Sequence, residues 1–267
     1  MGASALIIPQ KTAPFDFSAP ENEVNSNRLS LVLPTFNECD NISKLIPELE
    51  EALCGETFEI IVVDDHSPDG TARTAQALSK KYGNIKVCER SGKLGLSSAV
   101  LCGFRNANGN ILAVMDADMQ HPPEILREMC LKIAHGFDLV IASRYVGGGG
   151  TRNWEVTRMI FSKVATLMAH LLLPNSRKVK DVMSGCFMVR KGNLENSTLN
   201  PIGFKILLEI LCKCAFKNIT EVPYIFTNRR NGKSNLSSKE INHYIVHLYR
   251  LFFYSASHTI HKSRVVT

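Results

Sequence analysis

Ile111-Leu112-Ala113-Val114-Met115-Asp116-Ala117-Asp118-Met119-Gln120 is an apolar run that ends in an Asp-x-Asp pair. The run has the length of a buried strand, and alternate residues of a strand share a side. Asp116 and Asp118 are therefore expected to point the same way where the strand stops. Two earlier apolar runs end alike. Residues 29–33 pass into Pro34-Thr35-Phe36-Asn37-Glu38, and residues 58–63 into Asp64-Asp65-His66-Ser67-Pro68-Asp69-Gly70. In an α/β sheet such ends face one crevice, where these sheets bind ligands. A lone Asp-x-Asp is more often a solvated turn. Two further acidic strand ends reverse that balance and favour a divalent cation such as Mg²⁺, held by one or two carboxylates plus substrate phosphates. The pattern points to an enzyme handling a diphosphate. Of Asp64 and Asp65, one is expected to touch a nucleotide while the other caps its turn.

The rest of the chain fits that frame. Ile42, Leu45, Ile46, Leu49 and Leu53 form one helical face, with Asp40 or Asn41 as its cap. Residues 71–82 and 97–106 read as helices, and 85–88 and 139–143 as strands. Pro34 is expected to end the first strand, and Pro122-Pro123-Glu124 to open a helix. Strands alternating with helices of this length give βαβ units and a mainly parallel sheet. The second half is less regular. Residues 152–173 read as one long helix, and 182–189 and 221–228 as strands around a helix at 204–214. Over 239–254, Ile241, Tyr244, Ile245, Leu248, Leu251 and Phe252 fall on one side, a face for the core or for a membrane interface. The expected division is a flexible tail at 1–28, a catalytic domain at 29–238 and an amphipathic C-terminal helix and tail at 239–267.

With 45% of 267 residues hydrophobic, a sizeable core is available. The net charge of +6 is spread along the chain and comes with no base-stacking motif, which argues against nucleic acid as a partner. The eight cysteines include no Cys-x-x-Cys pair and are expected to be reduced, as in a cytosolic protein. No run reaches the roughly 20 apolar residues of a membrane span. A lipid substrate would have to be met at the membrane surface or through a partner.

Cations complete the picture. Arg90, Lys93 and Gly95 precede a helix start, where N–H groups and the helix dipole favour anions. Ser143-Arg144-Tyr145 lies just before Gly147, Gly148, Gly149 and Gly150, Arg158 follows one helix later, and Arg229-Arg230-Asn231-Gly232-Lys233-Ser234 lies beyond. Each alone is commonly a surface cation. Together, beside a metal-like site, they favour phosphate on both reacting partners, because the arginine fork binds oxyanions bidentately. The chain has neither Gly-x-x-x-x-Gly-Lys-Ser/Thr nor Gly-x-Gly-x-x-Gly after its first strand, which disfavours P-loop and nicotinamide chemistry.

The motifs at 34–38, 63–71 and 115–122 and Ser143-Arg144-Tyr145 resemble the family 2 glycosyltransferases of GT-A fold. Further matches make the chain similar to the dolichol-phosphate mannose synthases within that family: Val179-Lys180-Asp181 with Ser184-Gly185, Pro201-Ile202-Gly203-Phe204-Lys205, Glu221-Val222-Pro223-Tyr224, and Arg229 with Gly232-Lys233-Ser234. The likeness runs over residues 29–236. It implies a Rossmann-like, mainly parallel sheet flanked by helices, and transfer of mannose from GDP-mannose to dolichyl or another polyprenyl phosphate. A sister activity with UDP-glucose, or a non-catalytic nucleotide-sugar-binding subunit, are the alternatives.

The resemblance also implies roles. Pro34, Thr35, Glu38, Asp65 and Asp116 would hold the guanosine side, with Lys93 among the substrate-binding residues. Asp118 and Gln120, with Asp116 nearby, would hold Mg²⁺ or Mn²⁺ against the diphosphate. Arg229 and Lys233 would close over it. Arg144, Arg158 and Ser162 would receive the lipid phosphate, so that Asp118, Arg144 and Arg158 carry catalysis. His66 stands where Gly or Asn is usual, and 181–184 varies the family's turn. Many members add C-terminal membrane spans, which this sequence lacks. The expectation is a catalytic unit at the cytosolic face of a membrane, the endoplasmic reticulum in a eukaryote, held by small anchor subunits or by its own amphipathic helix.

Overall fold

The computed structural model describes residues 28–152, 156–195, 197–227 and 238–264. Four strands, β1 (Leu29–Thr35), β2 (Phe58–Asp64), β3 (Ile85–Glu89) and β4 (Ile111–Val114), alternate with α1 (Cys39–Ala52), α2 (Thr71–Tyr82), α3 (Leu96–Arg105) and α4 (Ile125–Ala134). Then come β5 (Leu139–Ser143), β6 (Gly150–Arg152), α5 (Val156–Leu172), β7 (Phe187–Arg190), α6 (Ile206–Lys213), β8 (Ile219–Pro223), β9 (Ile225–Thr227) and α7 (Ser238–Arg264). The main sheet has seven strands in the order β3-β2-β1-β4-β7-β5-β8, and β6 pairs with β9 beside it. Only β7 runs antiparallel, against both β4 and β5. The sheet is thus mainly parallel, as expected, with one reversed strand that periodicity could not foretell.

The chain winds from β1 outward to β3, then crosses back to place β4 on the other side of β1. That reversal opens a crevice at the C-terminal ends of β1 and β4. Helices cover both faces of the sheet. Leu31 and Leu33 pack with α1 and α4 on one side, while Val32 packs with α3, α6 and α7 on the other. Ile42, Leu45, Ile46, Leu49 and Leu53 are all fully buried, and each contributes about 1.5–3 kcal/mol by removal from water. A Cβ at residue 103 would collide with Val32, so Gly103 is what lets α3 lie directly on β1.

Several boundaries differ from the sequence reading. Pro34 lies inside β1, paired with Val63. Thr35 bonds toward β2 and Val32 toward β4, so the missing Pro34 N–H faces the β4 side, where pairing has already ended at Val114. Neither Asp40 nor Asn41 caps α1: its first N–H, on Cys39, donates to Asp69 at 3.0 Å. Arg152 belongs to β6, and α5 begins at Val156. The strand expected at 182–189 starts only at Phe187. The one expected at 221–228 divides at Tyr224 into β8 and β9, which belong to different sheets. All eight cysteines are free. No helix among the described residues is long and apolar enough to cross a membrane.

Candidate active site

The floor of the crevice is built at the ends of β1 and β2. Asp64 is fully buried and accepts bonds from Thr35 Oγ1 at 3.0 Å, the Ser67 amide at 2.8 Å and Ser67 Oγ at 2.5 Å. Ser67 Oγ in turn accepts the Asn37 amide at 2.9 Å. Asp64 is therefore the carboxylate that closes its own turn, tying β1 to β2. His66 follows at φ 58°, a left-handed conformation in which Gly or Asn costs less. Glu38 sits at the mouth, its amide bonded to Thr71 Oγ1 at 3.0 Å and its carboxylate accepting from Asn41 Nδ2 at 2.5 Å.

Asp65 is turned the other way, into the loop that opens α3. Its carboxylate pairs with Arg90 at 2.9 Å and accepts the Leu94 and Gly95 amides at 2.9 and 2.8 Å. Burial pushes its pKa up, against the pull of Arg90 and the two amides. Lys93 projects from the same loop, with Nζ 3.8 Å from the centre of the Phe36 ring. A cation–π contact thus sets a lysine at the rim beside β1.

Across the crevice, Asp118 and Gln120 are each 3% exposed. The Gln120 amide bonds Asp118 Oδ1 at 3.2 Å, which the left-handed φ of 61° at Met119 makes geometrically possible. A bulky residue held there costs on the order of 1 kcal/mol, a strain typical of functional sites. Gln120 Nε2 donates to the Thr227 carbonyl at 3.0 Å, fixing the orientation of its side-chain amide. Asp116 lies against Gly185, where any Cβ would strike its carboxylate. Two carboxylates and an amide oxygen, from Asp116, Asp118 and Gln120, are donors of the hard type that could hold Mg²⁺ or Mn²⁺ with phosphates and water completing the shell. Among the described residues no cluster of three or more His, Cys, Asp and Glu could hold a metal alone. Behind this set, His121 stacks on Tyr224 with ring centres 5.0 Å apart, and Nε2 lies 3.1 Å from the Tyr224 hydroxyl. Burial, helped by the charges of Arg144 and Lys205, outweighs the opposing pull of Asp118 and Asp181 and brings its pKa down to about 4, so the ring is neutral.

The third wall comes from the end of β5 and the segments that pack against it. Arg144 Nε and Nη2 bond the two oxygens of Asp181 at 2.8 and 2.7 Å. Burial opposes the charge on Arg144, but Asp181 more than offsets it and the pKa lies above the ordinary arginine value. Asp181 and Lys180 are themselves placed by Glu221, which accepts both their amides at 3.0 and 2.8 Å. Arg144 also lies 5.4 Å from the Phe226 ring. Lys205 reaches the same place from the start of α6, its Nζ bonded to the Met183 carbonyl at 2.6 Å. Burial and then the charge of Arg144 bring its pKa down to about 8, against the pull of Asp116 and Asp181. The Tyr145 hydroxyl meets Ser162 Oγ at 3.0 Å, which links the Arg144 turn to the face of α5 that carries Arg158 one helical turn earlier.

Pro34 and Thr35 thus lie at the end of β1 and Glu38 just past it, Asp65 just past β2, Lys93 in the loop before α3, Asp116, Asp118 and Gln120 past β4, Arg144 just past β5, and Arg158 and Ser162 on α5. Arg229 and Lys233 lie outside the described residues. Asp181, Lys205 and Tyr224 were assigned no role from sequence. Their only signal was membership of the downstream motifs.

A family model described as glycosyl transferase family 2 matches residues 30–197. The chain belongs to this family. This glycosyltransferase is 46% identical to the dolichol-phosphate mannosyltransferase of Pyrococcus furiosus, over 84% of the chain and 63% of that longer protein. It is 37% identical to the Saccharomyces cerevisiae and 36% to the Mycosarcoma maydis dolichol-phosphate mannosyltransferases, over 84% of the chain and 87% and 80% of theirs. Among solved structures, glucosyl-3-phosphoglycerate synthase of Mycobacterium tuberculosis, in complex with Mn²⁺, UDP-glucose and phosphoglyceric acid, superposes with a TM-score of 0.68 at 20% identity. That match covers 85% of this chain and 80% of the other, and it shows the GT-A-like fold alone.

Proposed function

We propose that this family 2 glycosyltransferase moves mannose from GDP-mannose to dolichyl or another polyprenyl phosphate, with inversion to the β-linked product. The observation that supports the reading is the guanidinium of Arg144, held by both oxygens of Asp181, in a cluster where Arg144, Asp116 and Asp181 all act on Lys205. In this reading the donor diphosphate meets the Asp116 to Gln120 side and the acceptor phosphate meets Arg144. The names of relatives at 36–46% identity support the same substrates.

On the donor side, Pro34, Thr35, Glu38, Asp65 and Lys93 line the guanosine end. Thr35 and Asp65 shape it through Asp64 and the loop at 90–95, while Lys93 supplies charge at the rim. A divalent cation, Mg²⁺ or Mn²⁺, held by Asp116, Asp118 and Gln120 would supply Lewis-acid stabilisation of the departing diphosphate. Arg229 and Lys233 follow shortly after Thr227, the residue bonded to Gln120, and are assigned to the same diphosphate. On the acceptor side, Arg144, Arg158 and Ser162 hold the lipid phosphate in line behind the anomeric carbon. A phosphate monoester has a second pKa of about 6 and is mostly dianionic at neutral pH, so it attacks without a general base. Direct displacement turns the donor's α linkage into β.

The acceptor reaches this crevice from a membrane surface. On α5, Val156, Ile160, Val164, Leu167 and Leu171 form an exposed apolar stripe, and Ile245, Phe252 and Phe253 add to it on α7. The two helices touch where the Tyr244 hydroxyl donates to the Ala165 carbonyl at 2.6 Å. We assign this surface to the cytosolic face of a membrane, the endoplasmic reticulum in a eukaryotic cell, with small anchor subunits as further partners there.

Donor competition tests the sugar. GDP-mannose is expected to displace a fluorescent GDP analogue in the presence of Mg²⁺ at concentrations where UDP-glucose does not. Preferential displacement by UDP-glucose would reassign the chain to glucosyl transfer.

A further inference from the structure

The even spread of Lys and Arg along the whole chain conceals one local imbalance. Residues 156–180 contain Arg158, Lys163, Arg177, Lys178 and Lys180 and no acidic residue. Two of these lysines border a cavity of about 260 Å³ beside α5, lined by Tyr145, Lys163, Thr166, Leu167, His170 and Lys180. No carboxylate lines it. Its walls are fixed rather than loose: His170 Nε2 meets the Val179 carbonyl at 2.9 Å, the Lys180 amide bonds Glu221, and the Tyr145 hydroxyl bonds Ser162. Leu167 belongs both to this cavity and to the exposed apolar stripe, at 58% exposure.

We propose that this groove takes the phosphate of an anionic membrane lipid, at a place separate from the acceptor's phosphate. The proposal rests on the reading of α5 as a membrane-facing helix. A helix lying in the interface sets its apolar stripe among acyl chains and its flanking cations at headgroup level. Lys163 from α5 and Lys180 from the turn before β7 converge there from two segments. Occupancy would dock the helix in one orientation, with the Arg144, Arg158 and Ser162 edge held at the depth where a polyprenyl phosphate arrives.

Vesicle sedimentation of the full chain tests this. The vesicles are phosphatidylcholine alone or phosphatidylcholine with phosphatidylglycerol. Wild type is expected to prefer the anionic vesicles. Lys163→Ala/Lys180→Ala is expected to lose about tenfold in partition to them. The charge-matched control Lys80→Ala/Lys81→Ala, at the end of α2, stays within about twofold of wild type, since separated surface charges are screened. Equal losses in the groove variant and the control overturn the groove. So does a wild type that binds neutral vesicles and gains nothing from phosphatidylglycerol, a result that leaves the membrane reading intact. Inorganic phosphate that perturbs the His170 resonances without any vesicle preference makes this a free-phosphate site and overturns the lipid assignment. A wild type that sediments with neither vesicle overturns the membrane reading and the groove together.

Discussion

Asp181 holds Arg144 with both carboxylate oxygens, at 2.8 and 2.7 Å, and also accepts the Arg144 backbone N–H at 3.0 Å. Asp181 is fully buried, so the pair is strong only while complete. Removing one partner leaves an uncompensated buried charge, at about 3–5 kcal/mol. Asp181→Ala is expected to lower unfolding stability by that amount, measured by denaturant titration. Arg144→Lys keeps the charge and loses the fork. It is expected to raise KM for dolichyl phosphate about tenfold or more with GDP-mannose affinity little changed. Unaltered acceptor kinetics in Arg144→Lys would remove Arg144 from the acceptor site.

The bond from Gln120 Nε2 to the Thr227 carbonyl joins the proposed metal site to the end of β9. Asp118→Ala is expected to reduce turnover at least about a thousandfold, because charge on the departing diphosphate is no longer stabilised. Gln120→Ala is expected to cost about ten- to a hundredfold, as a weaker ligand and a lost tether. Both variants should keep the wild-type circular dichroism. Near-normal turnover in folded Asp118→Ala would refute the metal assignment.

What the sequence revealed, and what it hid, has a physical pattern. The Asp116-to-Gln120 motif stood out because an apolar run leads into it, but β4 stops at Val114, so strand alternation does not set where Asp116 and Asp118 point. Pro34 misled, because its missing N–H matters only if a neighbouring strand needs it, and β4 stops short. The direction of β7 was invisible, since periodicity carries no sense of direction. Asp181 and Lys205 reach the site from a turn and a helix start distant in sequence, so only tertiary packing brings them to Arg144 and Asp116. Six apolar positions of α7 were recognised, without Val246, Tyr249 or Phe253, and the sequence could not say which face the core.

The structure divides that helix. Tyr244, Leu248 and Leu251 are buried, while Ile245 is 49% and Phe253 52% exposed. Leu248→Ala is expected to destabilise the protein by about 2–5 kcal/mol. Ile245→Ser/Phe253→Ser should leave stability within about 0.5 kcal/mol and reduce partition to vesicles. The checks are thermal unfolding and sedimentation on the same samples. The opposite assignment of effects would reverse the orientation of α7.

Acid should weaken the fold through two buried histidines. His247 Nδ1 accepts the Ile202 amide at 3.2 Å, and burial, then Lys213 and Arg250, bring its pKa from 6.5 down to about 4. His121 is brought down to about 4 as well, chiefly by burial. Where the folded pKa is depressed, the unfolded chain binds more protons. Stability is then full above pH 6.5 and falls as pH drops toward 4. Each histidine accounts for on the order of 3 kcal/mol across that window. His247→Gln is expected to remove about half of the fall, measured by urea titration between neutral pH and pH 5. A fall as steep as that of wild type would exclude His247 as a source.

The central claim is mannosyl transfer to a polyprenyl phosphate, and the most direct test is that reaction. Purified chain in detergent would be given labelled GDP-mannose and dolichyl phosphate, with Mn²⁺ or Mg²⁺ and with EDTA, and parallel reactions would carry UDP-glucose. The account predicts metal-dependent formation of an acid-labile mannosyl lipid that EDTA abolishes and UDP-glucose does not replace. Absence of lipid product from GDP-mannose, in a folded chain that still binds the nucleotide and is supplied with membranes, would contradict it.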